Sequence, residues 1–332
     1  MWFSASEGNE GWADQIRALD PSGKQRMLLR LPGFTRLHDV ARDGRVLLSK
    51  EEWRGELPFV GPKNAKPLDL SWLDNPVLCD LSGDGNTVIF SEVGAAGGSA
   101  YLLYLRRTDG SPAVRLGEGF SGAISPDGQH VLAITADNPA RLVVLPIGAG
   151  EARFLSNGNL KQYVAPGWTP DGKQAAFAGS DGHGWRFFVQ DMEGGAPRAV
   201  TPEIAAPGYY EAQFISLDGK YVWTRDAEGN CWLYPLDGSA ARPVQGLQAE
   251  EGFAGWGADN RSVFVFRSDT YPLKIYEIDF MSDQRKMIKE IMPEDPVGLD
   301  LANSVRVSPD GQHIAYAYSR SLSELYVVTG LK

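Results

Sequence analysis

The chain of 332 residues is 43% apolar and 11% aromatic, which is enough to build a sizeable core and excludes an intrinsically disordered chain. Its 32 basic and 42 acidic residues give a formal charge of -10, so its field opposes binding to nucleic acid or to an anionic membrane surface. No apolar run reaches the length of a membrane helix, and the first residues lack the pattern of a signal peptide.

Residues 1–33 are predicted to form three strands, MWFSAS, QIRALD and QRMLLRL. These would be the second, third and fourth strands of a unit that lacks its first strand. We therefore expect this N-terminal segment to complete the last repeat of the chain and to close a ring of repeats.

From residue 41 onward one motif recurs, as in ARDGRVLLS, SPDGQHVLAIT and SPDGQHIAYAY. A small residue stands two positions before an aspartate, and a turn residue and an apolar run follow it. The aspartates that anchor the copies are Asp43, Asp84, Asp127, Asp171, Asp218, Asp259 and Asp310. Subtracting successive numbers gives spacings of 41 to 51 residues, the length range of a four-stranded propeller blade.

The residue types of the motif predict local structure. Asp-Gly predicts a two-residue hairpin turn between the first two strands of each blade, because glycine accepts positive φ angles. After Asp259 the glycine is replaced by Asn260, which tolerates positive φ better than most residues. Three residues before each aspartate stands a bulky apolar residue, and at this position Trp168 and Trp256 are predicted to be buried between blades.

The repeat predicts an all-β fold, a single β-propeller over residues 1–332 with four-stranded antiparallel blades. Seven copies of the motif favour seven blades. Eight blades remain an alternative because strands in 1–33 are left over, and six would follow if one copy is a decoration of the ring.

The segments SPDGQHVLAIT, TPDGKQAAFAG and SPDGQHIAYAYSR resemble the WD-like repeat of the TolB-type β-propeller family, and the resemblance covers nearly the whole chain. The segments LDLSWLDNP, YLRRTDGSPAVRLGEG and SRSLSELYVVTGLK resemble the C-terminal propellers of bacterial, acidobacterial-type serine/threonine protein kinases. This second resemblance implies a sensor or interaction domain. The chain itself has no Gly-rich phosphate loop, HRD-type catalytic loop or DFG motif. The implied compartment is the cytoplasm if the chain is complete, and outside it if the chain follows a membrane helix in a parent kinase.

The sequence predicts no enzyme activity, no metal and no cofactor. His130 and His313 occupy the same place in two copies, which favours a strand-surface role over metal ligation. Cys79 and Cys231 match no metal or redox spacing, so both are predicted to be buried apolar groups. The alternative is a propeller hydrolase or lactonase with a metal bound in its channel.

The loops that lead into the first strands are expected at the mouth of the central channel. They carry aromatic and charged side chains of the kind that bind peptides and small ligands. The candidate binding residues are Arg36, Phe120, Tyr163, Tyr210, Glu211, Glu251 and Asn303. The alternative is that the aromatic rings only plug the channel. The predicted function is thus a non-catalytic, monomeric platform that binds a protein, peptide or small ligand and contacts neither nucleic acid nor membrane.

The position four residues before the aspartate is charged in three copies, as Asp39, Asp80 and Arg306. Charges beside a crowded axis are poorly solvated and need partners. A closed ring brings the last copy beside the first, so Arg306 is expected to pair with Asp39 or with Asp80. The alternative is that these side chains reach water in the channel.

Overall fold

The structure is a computed structural model that describes residues 1–332 apart from 7–12, 32, 65, 94–96, 98–100, 208–213, 227, 249, 268–269, 281, 283 and 332. Within the described residues the regular elements are β-strands joined by turns, without helix, and the strand pairs are antiparallel. The predicted all-β architecture is confirmed.

The strands are, in chain order, β1 (Trp2–Ala5), β2 (Gln15–Leu19), β3 (Gln25–Arg30), β4 (Phe34–Val40), β5 (Val46–Glu56), β6 (Pro58–Val60), β7 (Leu68–Asp69), β8 (Pro76–Leu81), β9 (Thr87–Glu92), β10 (Leu102–Arg107), β11 (Val114–Glu118), β12 (Ser121–Ile124), β13 (His130–Ile134), β14 (Leu142–Pro146), β15 (Arg153–Phe154), β16 (Gln162–Trp168), β17 (Gln174–Ser180), β18 (Arg186–Asp191), β19 (Arg198–Ala199), β20 (Tyr221–Arg225), β21 (Cys231–Pro235), β22 (Arg242–Pro243), β23 (Glu251–Trp256), β24 (Ser262–Arg267), β25 (Leu273–Asp279), β26 (Gln284–Ile291), β27 (Leu299–Val307) and β28 (Ile314–Val328).

The chain divides into two compact units. Unit 1 comprises Met1–Arg54, Asp295–Asp300 and Ser319–Lys332, and unit 2 comprises Gly55–Glu294 and Leu301–Tyr318. Strands β5, β27 and β28 contribute residues to both units.

Unit 1 contains the N-terminal strands and the hairpin of the Asp43 copy. Strands β1, β2 and β3 form a three-stranded sheet, and β4 pairs with β5. Ile16, Val46 and Leu48 are fully buried between them. The hydroxyl of Ser4 accepts a hydrogen bond of 2.8 Å from the Leu37 amide. Residues 1–33 therefore pack against the hairpin that follows them in the chain.

In unit 2 the strands of a copy pair in sequence order. Four sheets have four strands each, β8 to β11, β12 to β15, β16 to β19 and β23 to β26. The sheet of the Asp218 copy consists of β20, β21 and β22 in the described residues, and a bridge joins Ile215 to Val222 where a first strand would lie.

The sheet of the Asp310 copy is completed by strands from far earlier in the chain. Strand β27 pairs with β28, β28 pairs with β6, and β6 pairs with β7. Ile314 lies opposite Val60, and Ala315 lies opposite Phe59. The sequence predicts that 1–33 supply these strands, whereas the structure takes them from 58–69. The apolar side chain of Phe59, 3% exposed, is covered there together with Ala315.

The turn of the motif differs from the predicted two-residue hairpin. In the Asp127 copy the Gly128 amide donates to the Ser125 carbonyl at 2.8 Å, and Gly128 has a φ of 68°. A two-residue turn of that kind needs positive φ at both central residues, and the aspartate does not adopt it. The prediction was wrong because the aspartate has another role: its Oδ1 accepts hydrogen bonds from the Ser125 hydroxyl and the Gln129 amide.

Successive copies in unit 2 contact each other mainly through their first strands and the turns that follow them, and at Phe187 through β18. The contacts are Ile124 N to Asp80 Oδ2 at 2.8 Å, Trp168 Nε1 to Ala123 O at 2.9 Å, the rings of Phe187 and Phe214 with centroids 5.4 Å apart, Asp218 N to Asn260 Oδ1 at 2.9 Å, Ala258 N to Pro309 O at 2.9 Å, and Arg306 Nε to Cys79 O at 2.9 Å. The last of these contacts leads from the Asp310 copy back to the Asp84 copy.

Candidate functional site

A cavity of about 230 Å³, here called the central cavity, lies in unit 2 at the ends of the first strands. Residues at equivalent positions of six copies line it. Three residues before the aspartate these are Leu81, Ile124, Trp168, Ile215, Trp256 and Val307. One residue before the aspartate they are Gly83, Pro126, Pro170, Leu217 and Pro309.

The walls of the central cavity are apolar because of what the repeat places there. Each first strand ends on its bulky apolar residue, and a proline often follows because its fixed φ suits the second position of the turn. Trp256 is only 2% exposed, whereas Trp168 is half-buried. Leu217 is 41% exposed and stands at the open side.

Asp80 is the one charged residue among the described residues that line the central cavity. It is 3% exposed, and its carboxylate accepts hydrogen bonds of 2.8 Å from the amides of Leu81 and Ile124. Arg306 is also buried and donates from Nε to the carbonyl of Cys79, the neighbour of Asp80. Asp39 is exposed and belongs to unit 1. The pairing of Arg306 with Asp39 or Asp80 stays a prediction.

A second hollow of about 590 Å³, here called the side groove, lies between the Asp127 and Asp171 copies. Pro126, Trp168 and Pro170 line both it and the central cavity, so the two spaces adjoin. The other residues that line the side groove are Ser125, Asp127, His130, Val144, Glu151, Arg153, Asp171, Gly172 and Met192.

The two turn aspartates of the side groove are held in the ionised form. The Ser125 hydroxyl is the main cause of the lowered pKa of Asp127, and the Thr169 hydroxyl is the main cause of the lowered pKa of Asp171. Arg153, in contrast, already donates from Nη1 to the Met192 carbonyl at 2.6 Å. Together with Glu151 the two aspartates set three carboxylates against the one guanidinium of Arg153 in the side groove, so negative charge exceeds positive charge there.

The structure places Phe120 and Tyr163 in the packing of unit 2. Tyr163 is 2% exposed, its hydroxyl donates to the Asn157 carbonyl at 3.2 Å, and burial raises its pKa to about 12. Phe120 is partly buried against the same core cluster, with its ring edge-on to Tyr101.

The other predicted binding residues are dispersed. Glu251 is buried, where its carboxylate binds the Arg285 guanidinium and accepts a 2.9 Å hydrogen bond from the Gln248 amide. Asn303 is half-buried on β27, and Arg36 is exposed in unit 1, 3.7 Å from the Glu51 carboxylate. Tyr210 and Glu211 lie outside the described residues. A binding role for these residues stays a prediction.

The central cavity lies at the opposite end of the first strands from the predicted channel mouth. Its prolines and Leu217 were missed, although a proline directly before the aspartate was a visible signal in three copies. No feature of the sequence predicted the side groove, because the groove depends on which strands of two copies become neighbours.

No group of three or more His, Cys, Asp or Glu side chains that could hold a metal is present in the described part of the chain. Across the same residues, no helix has the length and apolar character needed to cross a bilayer.

The comparisons with known proteins concern the fold. No known family profile matches the chain. An uncharacterized protein of Agrobacterium fabrum is 24% identical over 266 residues, which cover 71% of this chain and 82% of that protein. A solved structure from Agrobacterium tumefaciens, assigned as a TolB, has a TM-score of 0.59 and 17% identity, covering 82% of this chain and 99% of the other.

TolB from Acinetobacter baumannii is similar as well, with a TM-score of 0.52 and 13% identity over 83% of this chain and 67% of that one. These likenesses support a TolB-like propeller fold. None of the proteins named here is a kinase, so the predicted resemblance to kinase-associated propellers gains no support.

More distant structures include enzymes. A puromycin hydrolase has a TM-score of 0.49 at 17% identity, covering 95% of this chain and 56% of the other. An oligogalacturonate lyase from Vibrio parahaemolyticus has a TM-score of 0.46 at 13% identity, covering 82% and 78%. The prediction of no enzyme activity was wrong in its reasoning, because propeller folds occur in enzymes as well as in binding proteins and the repeat alone does not exclude catalysis.

Proposed function

We propose that unit 2 is a six-bladed propeller closed by the pairing of β28 with β6, and that it binds a peptide or protein partner by seating an apolar side chain in the central cavity. The observation that carries the proposal is the lining of the cavity by equivalent positions of six copies.

The lining supports a ring of six copies. Residues at one repeat position can border one small cavity only if their copies surround it. The contacts between successive copies also support a ring. They link the Asp84 copy, through Asp80, to five further copies in turn, and Arg306 of the last copy bonds back to Cys79 of the Asp84 copy. The Asp43 copy belongs to unit 1, which supports a count of six in unit 2, an alternative that the sequence left open.

The chemistry of the cavity supports binding of an apolar group. Concave apolar sites with a partly exposed tryptophan are the usual anchor points for partner side chains. Trp168 has this character, and its indole N–H is already bonded to Ala123, so its ring is held in place for a ligand. The exposed Leu217 extends the apolar surface at the opening.

A displayed library of random heptapeptides, selected on the purified protein, tests the proposal. We expect enriched peptides to share an apolar residue and to bind Leu217→Asp at least about tenfold more weakly, because a carboxylate at the opening must lose water. Val114→Asp is the matched control, since Val114 is 57% exposed on β11 and lines neither space. Equal binding to wild type and Leu217→Asp, or no enriched peptide at all, would overturn the proposal.

A further inference from the structure

We propose that the partner peptide continues from the central cavity into the side groove and places a lysine or arginine side chain there, between the Asp127 and Asp171 turns. This inference rests on the proposed function and specifies the chemistry of the partner: an apolar anchor residue with a basic residue close to it in sequence.

The two spaces form one path. Trp168, Pro126 and Pro170 line both spaces, so these three side chains form the boundary that the two spaces share. A chain that leaves the central cavity across Trp168 therefore enters the side groove directly. Proline and indole rings are rigid surfaces, so little conformational entropy is lost when a peptide packs on them.

The carboxylates of the side groove have bonding capacity left. Oδ1 of Asp127 accepts from Ser125 and Gln129, and Oδ1 of Asp171 accepts from Thr169 and Lys173. Among the described residues, no donor bonds Oδ2 of either carboxylate. At three other copies this oxygen is occupied, by Arg45 Nε at 2.8 Å from Asp43, by Asn86 Nδ2 at 2.9 Å from Asp84 and by Lys220 Nζ at 3.2 Å from Asp218.

The balance of charge in the side groove selects a cation. Asp127, Asp171 and Glu151 bring three carboxylates against the one guanidinium of Arg153, which donates to the carbonyl of Met192. An ammonium or guanidinium group would form charge-assisted hydrogen bonds with the remaining carboxylate oxygens.

The walls suit the stem of such a side chain. Met192 and Val144 are 7% and 5% exposed and line the same space. Lysine and arginine bury their methylene groups on apolar surface while the charged end stays near water or carboxylates. The side groove thus offers both an apolar wall and an acidic rim, which is the pattern that a long basic side chain fits.

The peptides enriched on the wild-type protein test this inference. We expect lysine or arginine at one fixed distance from the apolar residue. For a dye-labelled enriched peptide we expect the double variant Asp127→Asn with Asp171→Asn to weaken binding about tenfold, the loss of one to two charge-assisted hydrogen bonds. The control is Asp109→Asn, a turn aspartate that lines neither space. Circular dichroism checks that each variant is folded.

The outcomes separate the two proposals. If Leu217→Asp abolishes binding while the double variant binds like wild type, or if the peptides carry no basic residue, the side groove is overturned and the proposed function stands. If the peptides bind Leu217→Asp as well as wild type, both are overturned. A loss in both variants, together with wild-type affinity for Asp109→Asn, supports both.

Discussion

Trp168 and Trp256 stand at the same position of two copies but differ in what surrounds them. The ring of Trp256 meets those of Phe253 and Phe280 edge-on, at 5.9 Å and 6.2 Å. Trp168 is half-buried and borders both the central cavity and the side groove. Both rings therefore line the central cavity, but Trp256 is enclosed in the core, whereas Trp168 is partly exposed and borders the side groove as well.

Removal of the two side chains should have unequal effects on stability. We expect Trp256→Ala to lower the free energy of unfolding by about 3–5 kcal/mol, as for other large buried aromatic residues. Trp168→Phe keeps a ring and loses the hydrogen bond to Ala123, so we expect a loss of about 1 kcal/mol. Urea unfolding measures both, and similar losses in the two variants would contradict the burial assigned to them.

The thiol of Cys79 should be inert in the folded protein. Burial raises its pKa to about 11, so very little thiolate, the reactive form, exists at pH 8. In the unfolded chain the thiol ionises at lower pH, so its contribution to stability is lost as the pH rises toward 11. We expect iodoacetamide to leave Cys79 unmodified at pH 8 until the protein is unfolded, with peptide mass spectrometry as the measurement. Rapid modification of the native protein would be the contrary result.

At the scale of the element, the first hairpin of each copy is defined by its turn. The sequence located these turns correctly, because glycine or asparagine follows every anchoring aspartate. It did not give the turn type, since the bonds from Ser125 to Asp127 that favour a four-residue turn depend on side-chain direction. The degenerate copy still forms its turn, with a φ of 55° at Asn260 and a bond to the Gly257 carbonyl.

Two substitutions at Asn260 separate backbone strain from hydrogen bonding. Alanine there meets the full cost of the left-handed conformation and loses the bond from the Asp218 amide to Asn260 Oδ1, so we expect Asn260→Ala to cost about 2 kcal/mol. Asn260→Gly loses only the bond, and about 1 kcal/mol should remain. Thermal unfolding compares them, and an alanine variant as stable as the glycine variant would argue against strain at this turn.

At the scale of the whole molecule, the repeat period predicted the all-β architecture, whereas the seven blades that it favoured differ from the six that we propose for unit 2. The partner strands of the Asp310 copy could not be predicted, because β6 has three residues and its pairing is set by a strand far along the chain. Without a signal for β6, the sequence favoured residues 1–33 as the strands that complete the Asp310 copy. The sequence pointed to the lining of the central cavity through the apolar position before each turn. It could not predict the side groove, which forms only where two copies become neighbours.

The closure of unit 2 is tested most directly by a disulfide between β6 and β28. Residues directly opposite each other in antiparallel strands have Cα atoms about 4.5–5.5 Å apart, within the range of a disulfide. The test pair is Val60→Cys with Ile314→Cys, and the control pair is Val60→Cys with Ala315→Cys, whose side chains are offset by one residue and point to opposite faces.

We expect mild oxidation of the native protein to link the test pair nearly completely, to leave the control pair reduced, and to raise the free energy of unfolding of the cross-linked variant by about 4 kcal/mol. Equal cross-linking of the two pairs, or no cross-link in the test pair, would contradict a ring closed through β6 and β28.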